Sequence, residues 1–379
     1  MAVAVICEFN PFHNGHKYLL SEARRLSGGG VLAVMSGSFT QRGEPAITDK
    51  FSRAAVALRH GADLVAELPA AYAVASARRF ALGGVNAARS FSCVDSLAFG
   101  CETDDLGLLT AAAQAYENAE VNRLVALKMR DGDYYPRALE AAVRSILGDG
   151  AADVLKSPNN VLAVEYIRAL RDSGIRPLPV KRVGAAHDSG EVCAGFASAS
   201  LIRARLRSGE DVTGLLPEVP GDITRPENLE RALLCRLRTL TREELAALPE
   251  VNEGLENRIY EAVRKYNSVE EILSAVKSKR YTHARLRRTL ICALLDITEE
   301  LQSRGASYVR VLGFNTEGEK MLRSCAAEIV TSPAKALKDG GENAEFLRAD
   351  IRACDLLGVC FDRVKPASLD FCTKIIREN

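Results

Sequence analysis

Short apolar runs alternate with amphipathic stretches through the first half of this 379-residue chain, and that alternation limits its fold more than any other feature. The runs at residues 3–7, 31–35, 64–67, 96–99 and 176–183 are strand candidates. Between them, spacing near 3.6 predicts helices over 14–26, 49–60, 70–90, 106–117, 160–173 and 198–208, several closed by a glycine. Strands and helices in alternation build a parallel sheet with helices on both faces, a doubly wound α/β fold. Pro217, Pro220 and Pro226 interrupt the pattern and mark a linker. Beyond it, helices are expected over 228–240, 256–265, 269–278 and 283–302, then a short α/β tail with strands at 307–313 and 327–330. Two domains follow from this reading, residues 1–215 and a mainly helical 226–379.

Charge decides little by itself, because 50 Lys and Arg against 49 Asp and Glu leave a formal +1. No apolar run is long enough to cross a bilayer, and the sequence enters its first strand without a basic-then-apolar leader, so no membrane role and a cytoplasmic location are expected. Ten cysteines occur singly, without C-x-x-C spacing or a Cys/His cluster, which points to reduced, mostly buried thiols and no protein metal site.

Two of only five histidines, His13 and His16, flank Gly15 directly after the first strand run. In an open parallel sheet, ligands gather at the carboxyl ends of the strands, where a starting helix offers free N–H groups and its positive dipole end to anions. A helix beginning at Asn14 puts both imidazoles there as donors to phosphate oxygens, and Gly15 lets a phosphate approach the backbone. A plain strand, turn and helix with two surface histidines is the competing reading.

His13-Asn-Gly-His16 resembles the H-x-G-H signature of the nucleotidyltransferase superfamily. The longer stretch from Glu8 to His16 is similar to the bacterial tRNA(Met) cytidine acetate ligase family. So are the stretches at 35–46, 61–69, 99–102, 157–160 and 279–283, so that the resemblance covers nearly the whole chain. It implies a Rossmann-like, nucleotidyltransferase-type sheet, activation of acetate by ATP to acetyladenylate, and acetyl transfer to N4 of the wobble cytidine of elongator tRNA(Met). Mg2+ is expected to accompany the ATP. His13 and His16 are the implied catalytic pair. ATP contact is implied for Ile6, Cys7, Glu8, Phe9, Asn10, Pro11, Phe12, Asn14, Gly15, Lys17, Tyr18 and Leu19 around them, for Gly100, for Asn159 or Asn160, and for Arg182, with Lys181 its immediate competitor.

Other segments read less sharply. Gln41, Arg42 and Glu44 suit either a cleft loop or surface pairing, while Asp49, Lys50 and Arg53 read as a solvated helix start. His187 and Asp188 precede Ser198, Ser200 and Arg203, which stand where related nucleotidyltransferases carry a hydroxyl-rich turn with a basic residue. Leu201 and Ile202 depart from the lysine-bearing version of that turn. Residues 277–288 hold six cations: Lys277, Lys279, Arg280, Arg285, Arg287 and Arg288. Such a cluster suits an RNA backbone, and Tyr281 among them could stack a base. A solvated helix face with a buried Leu286, Leu290 and Leu294 stripe is the alternative. The residues themselves leave open a different small acid as substrate, or RNA binding without catalysis.

Overall fold

One mixed sheet carries strands from both halves of the chain. The computed structural model describes residues 1–184 and 192–379, so the expectations for His187 and Asp188 lie outside the described residues. Strands β1 (Ala2–Cys7), β2 (Gly30–Ser36), β3 (Leu64–Leu68), β4 (Val94–Cys101) and β5 (Arg176–Lys181) are mutually parallel. With β6 (Tyr308–Phe314) and β7 (Glu328–Val330) they lie in the order β5-β4-β1-β2-β3-β6-β7, and β8 (Ile376–Arg377) pairs with β6. Strand β5 takes an edge, where the missing N–H groups of Pro177 and Pro179 cost no ladder bond to a second neighbour.

The central strands are buried on both faces, which is why their sequences read as unbroken apolar runs. Ala4 and Ile6 of β1 pack on one side with Leu32, Val34, Leu64 and Ala66, whereas Val3, Val5 and Cys7 pack on the other with Val31, Ala33, Met35 and Val65. In the front half the helices are α1 (Asn14–Ser27), α2 (Lys50–Arg59), α3 (Ala70–Ala73), α4 (Ala77–Arg89), α5 (Leu106–Ala115), α6 (Ala119–Arg130), α7 (Tyr135–Leu147), α8 (Asp149–Val154), α9 (Pro158–Ala169) and α10 (Ala199–Ser208). The expected 70–90 helix is interrupted at residues 74–76, and α4 starts at Ala77. Helices α6 to α8 were not anticipated. Their signals are the Asn118 cap, Pro136 in the first turn of α7, and the buried i, i+4 pairs Val121/Val125 and Leu139/Val143.

After the proline-rich connection come α11 (Glu230–Thr239), α12 (Arg242–Ala246), α13 (Leu255–Lys265), α14 (Val269–Val276), α15 (His283–Leu295) and α16 (Glu299–Ser303). Asp296, at φ 53°, ends α15 in the left-handed region, so the single helix expected over 283–302 is two. The tail is no appendage. Its β6 lies antiparallel on β3, with Val65 opposite Gly313 and Ala66 opposite Val311. Leu237, Leu286 and Leu290 of the helical segment belong to the same apolar core as Leu32 and Val34. The sheet and core thus span both expected domains.

A second departure concerns the helix start at Asp49. Asp49 does cap α2, accepting from Ser52 N–H at 2.8 Å, but Lys50 and Arg53 are buried rather than solvated. Lys50 Nζ lies 2.8 Å from both Glu67 Oε1 and Asp370 Oδ1. Arg310 joins the same carboxylates from β6. Arg53 donates to the carbonyls of Glu8, Ser36, Gly37 and Thr48, and so holds the loops that follow β1 and β2.

Candidate active site

Strand β1 delivers the chain to the sheet's carboxyl edge, and α1 starts there. His13 is the N-cap of α1, in extended conformation, with Nδ1 accepting Gly15 N–H at 3.1 Å. His16, three residues on, accepts His13 N–H at Nδ1, 3.3 Å away. Two imidazoles thereby close a reciprocal capping box normally made by Ser or Thr with Glu. The rings stack with centroids 3.7 Å apart and planes 24° from parallel. A Cβ on Gly15 would stand 2.9 Å from His13 Cε1, so the glycine first of all makes room for that ring.

Burial, then Arg182 and Arg203, lower the His13 pKa to about 3. Burial, then the His13 ring and Arg182, also lower that of His16, against the opposing Pro11 carbonyl. Both rings are neutral at pH 7. With His13 Nδ1 occupied as an acceptor, its ring proton sits on Nε2 and is available as a donor.

The pair opens into a cleft of ≈590 Å3. Three helix N-termini meet on its wall: α1 with His13 and His16, α9 with Ser157, Pro158 and Asn159, and α10 with Ser198, Ala199 and Ser200. Ser198 caps α10, accepting Leu201 N–H at 3.2 Å, and its hydroxyl lies 3.5 Å from that of Ser200. Arg182 and Arg203 add cationic side chains. Arg203 is oriented by donating to Asn10 O at 2.9 Å, and burial lowers its pKa while Glu44 and Glu8 favour its charge. Converging dipoles and guanidinium groups suit a polyanion. Glu8 also faces the cleft, accepting Gln41 N–H at 2.7 Å, and burial raises its carboxyl pKa.

Of the expected nucleotide residues, Ile6, Cys7, Glu8, Asn10, His13, His16, Leu19, Gly100, Asn159, Arg182, Ser198, Ser200 and Arg203 come together on this wall. Others do not. Phe9 and Phe12 are buried in the core behind it, with Phe9 edge-on to His16 at 5.0 Å, and Pro11 is buried beside them. Asn14 spends its amide on the carbonyls of Gly195 and Gly214, and Lys17 is exposed away from the cleft. Gly15 and Tyr18 border a smaller adjoining hollow with Lys181. Asn160 is buried, with Oδ1 accepting the backbone N–H groups of Glu102 and Thr103, so geometry separates it from Asn159. Gln41, Arg42 and Glu44 line the cleft, as do Lys156, Phe99 and Tyr166, which sequence reading missed. Lys156 directly precedes the Ser157 cap, and that position was the available signal.

The basic segment abuts this site. Gly43, in the cleft loop, sits so close to the backbone of Arg287 and Arg288 that a Cβ would reach 2.8 Å from Arg288 N. Arg287 pairs with the cleft residue Glu44. The expected base-stacking role of Tyr281 is corrected by its burial: 4% of its surface is exposed, and its hydroxyl donates to Asn252 O at 3.0 Å. Arg288 is paired with Glu250, Arg285 donates to Glu250 O and Asn252, and Arg280 pairs with Glu253. Lys277, Lys279 and Arg280 are exposed, and Leu286, Leu290 and Leu294 do form the buried stripe.

The model of the HIGH Nucleotidyl Transferase family matches residues 1–370. A tRNA(Met) cytidine acetate ligase of Thermoanaerobacter sp. (strain X514) is 37% identical, with 99% of each chain covered. One from Syntrophotalea carbinolica is 39% identical over 85% of this chain and 81% of its own. Among solved structures, Thermotoga maritima TmcAL (apo, form I) superposes with a TM-score of 0.88 at 31% identity, covering 99% of both chains. The same enzyme bound with alpha-thio ATP gives 0.86.

Proposed function

From the membership of this chain in the HIGH nucleotidyl transferase family, among its tRNA(Met) cytidine acetate ligases, we infer that it activates acetate with ATP and acetylates N4 of the wobble cytidine in elongator tRNA(Met). The observation that carries the reading is the stacked His13/His16 pair at the start of α1, facing a nucleotide-sized cleft beside Arg182 and Arg203.

ATP lies across the carboxyl edge of the sheet. Its α-phosphate is set against His13, His16 and the α1 N-terminus, and its departing pyrophosphate lies toward Ser198, Ser200 and Arg203. An acetate oxygen attacks the α-phosphorus in line, and the bond to pyrophosphate breaks. The neutral His13 Nε2–H and the cations stabilise the charge that builds on the phosphoryl oxygens, each donor contributing about 3 kcal/mol, and His16 holds that ring in place by stacking on it and accepting the His13 backbone N–H. The cytidine amine then attacks the acetyl carbon, AMP leaves with the bonding pair, the N4 proton is lost to solvent, and no enzyme acyl intermediate is required. Among the described residues no three His, Cys, Asp or Glu side chains gather to hold a metal. A magnesium ion accompanying the triphosphate would offset part of its charge. Lys277, Lys279 and Arg280 provide exposed cations for the tRNA backbone, on a segment that touches the cleft loop.

Incubation with ATP, labelled acetate and total tRNA tests this. Label in N4-acetylcytidine of tRNA(Met) is expected; label in another nucleoside, or in none, contradicts it.

A further inference from the structure

Glu102 is the end of a motif that the cleft itself leaves unused. It follows β4, does not line the cleft, and yet accepts two side-chain hydrogen bonds from the α9 N-terminus. Asn159 Nδ2 donates to Glu102 Oε1 at 2.6 Å, and Ser157 Oγ donates to Oε2. Asn160 returns the connection by accepting Glu102 N–H at 2.9 Å, which fixes the height of the carboxylate against the helix start.

A carboxylate can only accept, so it compels Asn159 to turn its amide nitrogen inward. The amide is planar, so with Nδ2 on the carboxylate its Oδ1 is turned away from Glu102, and Asn159 itself lines the cleft. We propose that Glu102 is a positioning residue for nucleoside selection. It holds Asn159 with the carbonyl oxygen toward the bound nucleotide, so that the cleft takes a nucleoside presenting an N–H or O–H donor at that place. This rests on the reading that the cleft takes ATP, and is independent of acetate and tRNA. Without the carboxylate, the amide is free to rotate by half a turn and exchange acceptor for donor.

Direct binding titrations with ATP, N6,N6-dimethyl-ATP, 2′-deoxy-ATP and 3′-deoxy-ATP, without acetate or tRNA, read the effect. Wild type should bind at least one donor-deleted analogue about tenfold more weakly than ATP. Glu102→Ala should weaken ATP about tenfold and erase that discrimination, whereas Glu102→Gln, whose amide oxygen can still accept from Asn159, should keep most of it. Adding Glu102→Ala to Asn159→Ala should cost nothing more, since the carboxylate acts through the amide. If the alanine variant does not fold, Glu102→Leu fills the volume without an acceptor and carries the comparison. The proposal is overturned if a folded Glu102→Ala protein weakens ATP and the analogue equally, or if the two substitutions add. A protein that discriminates as described but acetylates nothing would refute the proposed function and leave this inference standing.

Discussion

His13 has two tasks in this account that are ordinarily separate: it caps a helix, and from the wall of the cleft it is proposed to donate to a phosphate. Asparagine is an excellent cap, so His13→Asn should keep the α1 start while removing the Nε2–H donor. Stability at pH 7 should change by no more than about 1 kcal/mol, and turnover should fall about a hundredfold or more. The pH dependence separates the roles. The folded-state pKa of His13 is about 3, below the ordinary 6.5, so on acidification the unfolded chain takes the proton first. Wild type should lose about 1.4 kcal/mol per pH unit from this group as pH falls below 6.5, and His13→Asn should show a shallower slope in denaturant titrations at pH 7, 6 and 5. Parallel slopes would mean that the ring is charged in the folded protein. That two scarce histidines meet at a helix start was legible in the sequence. Their mutual stacking was not, because it depends on side-chain geometry that spacing leaves free.

Strand β3 and helix α2 are joined by a buried charge cluster that local patterns conceal. Lys50 is fully enclosed between Glu67 of β3 and Asp370 of the short helix Leu369–Cys372, which arrives from 320 residues away in sequence. Tyr308 donates to nearby Asp350, whose carboxyl burial and then Glu67 push up to about 7. Lys50→Met should therefore leave Glu67 and Asp370 sharing only Arg310, at a cost of about 3–5 kcal/mol in denaturant unfolding. A change below about 1 kcal/mol would show that the cluster is not stabilising as an ion set. The front-half strands were legible because burial on both faces writes a continuous apolar run. Lys50 and Arg53 were misjudged for the converse reason: a cation beside a capping aspartate looks solvated until its distant partners are known. Helix breaks at residues 74–76 and at Asp296 were equally hidden, since the apolar period continues across them.

Across the whole molecule, the helical segment and the sheet share one core, and α15 sets its basic start against the cleft loop through Gly43 and the Arg287–Glu44 pair. The segment's charge was legible in the sequence, and its position beside the cleft came only from tertiary structure. Among those cations, Lys277, Lys279 and Arg280 stand exposed on the surface. Replacing all three with alanine should reduce tRNA acetylation at least tenfold and flatten its salt dependence, with acetate-dependent adenylate formation unchanged. Equal loss in both assays would place the segment in the nucleotide site. The central claim, that the histidine pair handles the reactive phosphorus, is tested most directly by acetate-dependent exchange of labelled pyrophosphate into ATP. Wild type should exchange and His16→Ala should not, while the variant still unfolds cooperatively, a few degrees lower for the lost cap partner of His13 N–H. Exchange at the wild-type rate by the folded variant would contradict the account.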